Sequence, residues 1–375
     1  MNRNSELKTL ARVFITLGVT AFGGPAAHIA MMQQEVVAKR KWMSEEHFLD
    51  LMGATNLIPG PNSTEMAMHI GQDRAGWRGL VVAGSCFIFP AVVITLFFAW
   101  LYKEYGQLPE VQPFIYGIKP AIISIILIAI LPLAKKSLKN IQLGVIGVVV
   151  LVLALMGVNE ILLLFGAGIL AMGLSLFSNR KTINSFLPLG ILQVSDFNLF
   201  STANVSLFLT FLKIGAILYG SGYVLFAFLN AELVENGLLT RQQLIDAIAV
   251  GQFTPGPVFS SVAFIGYQIN GWSGAIVSTI GVFLPSFIFV ALLNPIVKMM
   301  RDSSLFSKFL DAVNVASIAI IVSVCYVMAK ESISDWRAIL IGILCLLLSF
   351  SFKKLNSVWI VLLGSSLGYV LNLFN

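Results

Sequence analysis

The chain has 375 residues, of which 57% are hydrophobic and only 11% are charged, and its mean hydropathy is +0.88. A soluble domain usually carries about a quarter charged residues, so this composition excludes an ordinary soluble protein. The net charge of +6 comes from short Lys and Arg clusters between apolar runs, a pattern typical of positive-inside topology rather than of nucleic-acid binding. We therefore expect an all-α polytopic membrane protein that contacts the lipid bilayer and no nucleic acid.

The sequence contains an internal repeat at a spacing near 196 residues. Pro59-Gly60-Pro61 recurs as Pro255-Gly256-Pro257 at a shift of 196, and Gly76-Trp77 recurs as Gly271-Trp272 at a shift of 195. Further matching pairs are Phe14 and Phe211, Gly18 and Gly215, Glu35 and Glu232, Asp50 and Asp246, and Pro90 and Pro285. We predict two homologous units, residues 1–181 and 204–375, joined by a linker at 182–203.

Each unit is predicted to begin with two interrupted apolar segments and to continue with four plainer helices. In the first unit the interrupted segments lie near 5–38 and 44–73 and break at Gly23-Gly24-Pro25 and Pro59-Gly60-Pro61; the plainer helices lie near 78–102, 113–134, 141–157 and 159–178. In the second unit the breaks are Gly220-Ser221-Gly222 and Pro255-Gly256-Pro257, and the plainer helices lie near 273–297, 309–329, 338–352 and 356–374. Proline removes a backbone donor and glycine adds freedom, so a helix stops at such a sequence. Ser44 and Thr240 are expected N-caps of the helices that lead to the two Pro-Gly-Pro breaks.

The four breaks are the strongest functional signal in the sequence. A bare break is tolerated at membrane depth only where protein buries it or water reaches it. A single break is readily explained as a packing kink, but four at matching places are typical of secondary transporters, whose half-helix N-termini point at an anionic substrate near the midplane. We therefore expect the breaks to surround one anion site.

The cations favour units of opposite orientation. If the interrupted segments are re-entrant hairpins, nearly all cations of the first unit share the cytoplasmic side. Inverting the second unit places five of its cations inside and three outside, and the parallel orientation reverses this count. Inversion requires the linker to cross the membrane once, although its longest uncharged run, 182–195, is short for a span.

Small hydrogen-bonding residues and glycines at the breaks are the candidate substrate-binding residues, and Glu65 is the candidate proton-coupling residue. Glu65 is also at the right spacing from Asn62 for a capping box, and His28 also fits a hydrogen-bonded packing role. Lys213 lies in an uncharged stretch, 205–231, where a cation is costly unless it snorkels or is compensated, for which Glu65 and exposed half-helix carbonyls are the candidates. The candidate substrate-binding residues are Gly23, Gly24, Pro25, His28, Pro59, Gly60, Pro61, Asn62, Ser63, Thr64, Lys213, Gly220, Gly222, Pro255, Gly256, Pro257, Ser260 and Ser261.

Signatures of catalysis and of metal or cofactor binding are missing from the sequence. It has no H-E-x-x-H, no G-x-S-x-G and no P-loop, and its three cysteines, Cys86, Cys325 and Cys345, lie in apolar runs. We expect no catalytic residues, no metal and no cofactor. An ion gradient is then the expected energy source.

Several of these sequences together resemble the chromate ion transporter family in its long, two-domain form. The resemblance covers nearly the whole chain and rests on Phe22-Gly23-Gly24-Pro25 with His28, Trp42-Met43-Ser44-Glu45, Pro59-Gly60-Pro61-Asn62-Ser63-Thr64-Glu65, Gly76-Trp77-Arg78-Gly79, Phe211-Leu212-Lys213-Ile214-Gly215 and Thr254-Pro255-Gly256-Pro257. It implies export of chromate, a sulfate-like dianion, from the cytoplasm of a prokaryote, with coupling to protons and halves of opposite orientation.

Two other function classes remain open on the sequence alone. An uncoupled channel or scramblase-like conduit would use the same breaks, and a membrane-embedded enzyme such as a lipid transferase is a third class. The oligomeric state is also open, with a homodimer among the options.

Overall fold

The computed structural model describes residues 3–22, 24–106, 108–178, 203–219, 224–301, 303–352 and 357–373. Every regular element in this part of the chain is a helix. The first unit contains α1 (Arg3–Thr20), α2 (Gly24–Gln33, continued by the π-helix Gln34–Lys39), α3 (Glu45–Thr55), α4 (Asn62–Tyr105), α5 (Gln112–Ser137), α6 (Ile141–Leu155) and α7 (Glu160–Ser178). The second contains α8 (Ala203–Ile217), α9 (Val224–Leu229, continued by the π-helix Asn230–Val234), α10 (Arg241–Phe253), α11 (Ser261–Arg301, preceded by the 3₁₀ turn Val258–Ser260), α12 (Ser304–Ser332), α13 (Trp336–Ser351) and α14 (Ser357–Asn372). The predicted linker lies outside the described residues except for Ala203.

The order of elements repeats, so the predicted all-α fold of two homologous units is confirmed. The helices before the Pro-Gly-Pro breaks also begin as expected. The Ser44 hydroxyl accepts a hydrogen bond from the His47 N–H at the start of α3, and Thr240 forms a capping box with Gln243 at the start of α10. These caps satisfy backbone donors that a helix start leaves free.

Helix α4 folds back on itself after its first few turns. Gly76 leaves helical geometry with φ of 64°, a left-handed conformation that glycine adopts without a Cβ penalty. Gly71 and Gly79 then touch backbone to backbone, although eight residues of straight helix would separate them by about 12 Å. We call residues 62–75 the short arm of α4 and residues 76–105 its long arm.

Helix α11 repeats this geometry in the second unit. Gly271 has φ of 58°, and Gly266 and Gly274 touch across the bend as their counterparts do in α4. The short arm of α11 is 261–270 and its long arm is 271–301. The sequence predicted a helix end before each long arm but not the tight reversal.

The interrupted segments of the first unit form two hairpins that open toward the same end of the bundle. His47 Nε2, at the start of α3, lies 3.1 Å from Asp73 Oδ1, at the end of the short arm. Next to it, Arg74 pairs with Glu6 of α1 at 3.5 Å and lies over the ring of Trp42, just after α2. The outer ends of all four helical pieces therefore meet at one place.

The second unit closes its hairpins with equivalent contacts. Asn270, at the end of the short arm of α11, donates to the Asn204 side chain at the start of α8 at 2.5 Å. Lys213 of α8 pairs with Glu232 of the π-helix after α9 at 2.6 Å. Each unit thus contributes two hairpins, and the structure describes the Pro-Gly-Pro break at the tip of the second hairpin in each unit.

The later helices are exchanged between the units. Helix α5 packs against α13 and α14 of the second unit, and its equivalent α12 packs against α6 and α7 of the first. Gly117 of α5 lies against Gly364 and Gly368 of α14, where small residues let two apolar helices approach closely. The two units therefore form one intertwined body.

Helices α5 and α12, which are equivalent, run antiparallel. Tyr116 near the start of α5 donates to Asp335, which follows the end of α12. At the other end, Lys139 after α5 pairs with Asp311 in the first turns of α12 at 2.7 Å. Lys308 of α12 bonds Ser175 in the last turn of α7 at 2.6 Å at this same end.

Four helical stretches in the described residues are long and apolar enough to cross a membrane. They are Asn62–Tyr105, Gln112–Ser137, Val258–Leu292 and Leu305–Ser332. Six shorter apolar helices accompany them, including α6, α13 and α14. A helix of 15 residues such as α6 spans only about 22 Å, against a hydrocarbon core of about 30 Å.

Candidate functional site

The breaks meet in pairs where the two units touch. The Gly60 N–H donates to Leu218 O at 2.8 Å, and the Gly256 N–H donates to Ala21 O at 2.8 Å. Ala21 and Leu218 are equivalent at a shift of 197, and the two glycines are equivalent at 196. Each Pro-Gly-Pro break is thus bonded to the end of the first hairpin arm of the other unit. This reciprocity pairs the second hairpin of each unit with the described arm end of the first hairpin of the other unit.

The glycines at these contacts have no room for a side chain. Gly60 has φ of 135° and Gly256 has φ of 82°. A Cβ on Gly60 would overlap Glu65 Oε1 and Ser286 Oγ, whereas a Cβ on Gly256 would lie 2.7 Å from the Ala91 Cβ. Ser286 and Ala91 are equivalent positions, so the surroundings of Gly60, which we call the polar corner, contain a hydroxyl where those of Gly256 contain a methyl group.

Glu65 is the buried carboxylate at the polar corner. It is 0% exposed, and its Oε1 accepts a hydrogen bond from Ser286 Oγ at 3.1 Å. Its Oε2 has no hydrogen-bond partner among the described residues. The capping-box alternative is wrong, because the N-cap of α4 is Pro61 and the Asn62 amide instead donates to Asn56 Oδ1 at 2.9 Å.

His28 connects the first break of its unit to the second. Its Nδ1 lies 3.3 Å from Ser63 Oγ, and its ring meets Phe87 edge-on at 5.7 Å. Both His28 and Ser63 are buried, at 1% and 2% exposure. This contact holds the start of α2 against the start of α4.

Hydroxyl groups line the second Pro-Gly-Pro break. Thr95 Oγ1, on the long arm of α4, lies 3.2 Å from Ser260 Oγ and donates to Thr254 Oγ1 at 3.4 Å. Ser261, which begins α11, is fully buried, and its hydroxyl has no partner in the described part of the chain. The break of the second unit is therefore polar through hydroxyls rather than through a carboxylate.

Lys213 lies on the arm that leads to the first break of the second unit. It pairs with Glu232 across that hairpin rather than with Glu65, and its side chain is 47% exposed. Of the other predicted site residues, Gly23, Gly220 and Gly222 lie outside the described residues. Those that the structure places at or beside the converging tips are Gly24, Pro25, His28, Pro59, Gly60, Pro61, Asn62, Ser63, Thr64, Pro255, Gly256, Pro257, Ser260 and Ser261.

The hairpin tips offer hydrogen-bond donors with little formal charge. The N–H groups of Asn62 and Ser63 are at the start of α4, where a helix leaves its first donors without intrahelical partners and favours anions. Glu65 joins no ion pair among the described residues. The same part of the chain contains no group of three or more His, Cys, Asp and Glu placed to hold a metal ion.

A second candidate site is a cleft of about 330 Å³ at the end where α5 begins. It contains two cations, Lys119 and Arg337, but Arg337 is held by Asp335 at 2.8 Å. The cleft is lined by Pro109, Gln112, Pro113, Tyr116, Lys119, Arg337, Gly368 and Asn372. None of these residues belongs to a break.

A family model for chromate transporters matches residues 8–172 and again 205–369. The chain belongs to the chromate transporter family. It is 32% identical to the chromate transport protein of Cupriavidus metallidurans, over 97% of this chain and 93% of the relative. It is 30% identical to the probable chromate transport protein of Synechococcus elongatus, over 97% and 95%, and 28% identical to an uncharacterized transporter of Methanocaldococcus jannaschii, over 96% and 92%. No solved structure matches the chain.

Membership in the chromate transporter family agrees with the architecture. The family model matches once in each structural unit, and the chain is a multi-pass membrane protein of a prokaryotic family that transports ions across membranes. Sequence reasoning missed Ser286, Thr95 and Thr254 as neighbours of the breaks. Ser286 carries only a weak signal, an alanine at the equivalent position of the first unit, and no local pattern predicts its contact with Glu65.

Proposed function

We propose that this member of the chromate transporter family is a secondary transporter that exports an oxyanion of the chromate type. The substrate class is a tetrahedral dianion like sulfate, the membrane is the cytoplasmic membrane of a prokaryote, and the coupling ion is the proton. The observation that carries the proposal is the reciprocal pair of hydrogen bonds from Gly60 to Leu218 and from Gly256 to Ala21. These bonds join the Pro-Gly-Pro break of each unit to the end of the first hairpin arm of the other unit.

The anion is proposed to bind at the hairpin tips through neutral donors. The free N–H groups of Asn62 and Ser63 and the unpaired hydroxyls of Thr64 and Ser261 supply them. Each helix N-terminus acts as roughly half a positive charge. A tetrahedral oxyanion has acceptors in four directions, so donors from both units suit it better than a planar carboxylate.

Charge balance assigns roles to Glu65 and Lys213 in this proposal. Helix N-termini contribute about 0.3 to 2 kcal/mol each, whereas a buried ion loses several kcal/mol of solvation, so a cation is needed for a dianion. Lys213 is the proposed cation, released from Glu232 when the anion binds. Ionised Glu65 repels an anion at the tips and protonated Glu65 does not, so proton uptake accompanies anion binding.

The proposal includes units of opposite orientation and alternating access. Support comes from the antiparallel run of α5 and α12, since equivalent helices point in opposite directions only if their units do. The end that contains Lys135, Lys136, Lys139 and Lys308 is assigned to the cytoplasm by the positive-inside rule. Movement of the hairpins against the intertwined later helices would then open the shared site to each side in turn.

Orientation is tested by labelling single cysteines in a chain whose three native cysteines are replaced. We expect Ser137→Cys and Ser307→Cys, both at the Lys139 end, to react with an impermeant thiol reagent only from the cytoplasmic side. Ser334→Cys, at the Tyr116 end, is the matched control and is expected to react only from outside. Labelling of Ser137→Cys and Ser307→Cys from opposite sides would contradict inverted units.

Function is tested by uptake of labelled chromate and sulfate into proteoliposomes with and without a pH gradient. Accumulation that depends on the gradient supports a coupled transporter. Passive equilibration in both conditions would indicate an uncoupled conduit. Absence of flux with either anion would contradict oxyanion transport.

A further inference from the structure

A line of buried polar side chains runs along the short arm of α4 from the break to the surface. Glu65, His69 and Gln72 follow one another at i, i+4 and i+7, so they lie on one face of the helix. Glu65 is 0% exposed, His69 is 2% exposed, and Gln72 is half-buried. The next residue, Asp73, is exposed and lies 3.1 Å from His47 Nε2. The line therefore connects the hairpin tips to one face of the protein.

The polar atoms along this line lack protein partners. Glu65 Oε2, both ring nitrogens of His69 and Gln72 Oε1 are buried and make no hydrogen bond to any described residue. Leaving one buried polar group unpaired costs about 1 to 3 kcal/mol, and most buried polar groups are paired. A histidine kept only for packing would bond at least one nitrogen, as His28 does with Ser63. These unpaired atoms suit side chains that exchange protons through water.

The second unit has no equivalent line. At the shift of 195, Phe264 replaces His69 and Tyr267 replaces Gln72, and Phe264 is fully buried in the apolar core. The matching position of Glu65 is a serine, Ser260 or Ser261, on either side of a single-residue indel. The polar line consequently reaches only the face at which the hairpins of the first unit open.

We propose that Glu65, His69 and Gln72 form a proton relay between the hairpin tips and the cytoplasmic face, with His69 as the carrier. The relay rests on the proposed proton coupling and deepens it. A proton from solvent at the His47–Asp73 pair reaches one ring nitrogen of His69 through water held by Gln72 Oε1. The other ring nitrogen releases its proton through a second water to Glu65, and the ring returns to its neutral form as the other tautomer. One proton moves from the cytoplasmic face to the hairpin tips, and only N–H and O–H bonds change.

The elements packed against the short arm contain other titratable groups, and several of these are already engaged. Near the surface, Glu6 of α1 pairs with Arg74, and near the break, His28 bonds Ser63. Other titratable or charged groups on or beside these elements include Lys8, Arg12, Glu35, Lys39, Glu45, Glu46, Asp50, Arg78, Cys86, Tyr102, Lys103, Glu104, Tyr105, Tyr219 and Tyr267. None of them forms a hydrogen bond with the His69 ring in the described structure.

The test compares His69→Phe, which copies the residue of the second unit, with His69→Gln and with Met66→Leu. Met66 is fully buried on another face of the same arm, so Met66→Leu controls for a changed core side chain. The readouts are chromate-induced thermal stabilisation of purified protein and chromate-driven proton movement, followed with a pH dye trapped in proteoliposomes. Proton movement is recorded across a series of pH values.

We expect His69→Phe to bind chromate as the wild type does but to lose about 100-fold in chromate-driven proton movement, the usual contribution of a positioned acid–base group. His69→Gln is expected to bind chromate normally with the same loss of proton movement, and it serves as the test if His69→Phe does not fold. Met66→Leu is expected to behave as the wild type.

Three results would overturn the relay. Wild-type proton movement and pH profile in both His69 variants would remove His69 from the path and leave proton coupling intact. Loss of chromate binding in His69→Gln would make His69 a substrate ligand instead. Chromate transport by the wild type without any proton movement would remove the proposed coupling itself, together with the relay.

Discussion

Gly60→Ala perturbs the point where the two units and the buried carboxylate meet. Gly60 has φ of 135°, and a Cβ at this position would point at Glu65 Oε1 and Ser286 Oγ. A non-glycine residue in a disfavoured backbone region costs about 1 to 3 kcal/mol. Forcing a methyl group into a packed site costs a further 1 to 3 kcal/mol, roughly. The alanine must therefore displace Glu65, Ser286 or the bond from Gly60 to Leu218.

The expected result is a loss of chromate affinity and transport in a protein that still inserts in the membrane. A cost of about 1.4 kcal/mol is tenfold in an equilibrium constant, so the low end of the combined cost, about 2 kcal/mol, predicts roughly a 30-fold weaker affinity when the strain falls on the anion-binding conformation. Affinity is measured by chromate-induced thermal stabilisation and transport by uptake in vesicles, both normalised to the amount of folded protein.

Two further glycines calibrate this result. Gly53 lies in α3, and a Cβ added there would meet open space, so Gly53→Ala is the control and is expected to transport normally. Gly256→Ala has φ of 82° and meets the Ala91 Cβ rather than a carboxylate, so we expect reduced transport with an unchanged pH dependence. Normal transport at normal expression in both Gly60→Ala and Gly256→Ala would refute a site shared by the two breaks.

The remaining predictions concern charge. Glu65→Gln is expected to keep chromate binding but to remove the pH dependence of this binding, because a neutral amide cannot repel the anion. Chromate itself also takes up protons, and comparison with the wild type at each pH cancels that effect. An unchanged pH profile would contradict the role of Glu65. Lys213→Ala is expected to abolish transport and Lys213→Arg to retain part of it, and undiminished binding by Lys213→Ala would leave the Glu232 ion pair as the role of this lysine. Asp335 lies between α12 and α13, and hydrogen bonds from the Tyr116 hydroxyl, the Ala338 N–H and Arg337 lower its pKa from 3.8 to about 2. The ionised form of Asp335 therefore stabilises the fold above pH 3.8, and this contribution is lost as the pH falls toward 2. The difference in thermal stability between wild type and Asp335→Asn should shrink over that window. A constant difference would contradict the lowered pKa of Asp335.

Local chemistry made the breaks and helix starts predictable. Pro59-Gly60-Pro61 and its repeat stop a helix whatever the tertiary fold, and Ser44 and Thr240 cap the helices that approach them. The long apolar runs likewise predicted α5 and α12 closely. These features depend on a few neighbouring residues, so one sequence suffices to find them.

Contacts distant in sequence were not predictable in the same way. The bond from Gly60 to Leu218 and the bond from Ser286 to Glu65 join residues more than 150 positions apart, and nothing in either segment encodes the other. Glu65 was wrong as a candidate partner of Lys213, because Lys213 pairs with Glu232 across its own hairpin. The exchange of later helices between units depends on the assembled shape of both.

The most direct measurement of the central claim is the position of the anion in a structure of the purified protein with chromate, located by the anomalous scattering of chromium. A shared site predicts one chromium peak at the hairpin tips, within hydrogen-bond reach of the Asn62 and Ser63 N–H groups and of the Ser261 hydroxyl. A peak only in the cleft between Lys119 and Arg337, with none at the tips, would contradict it.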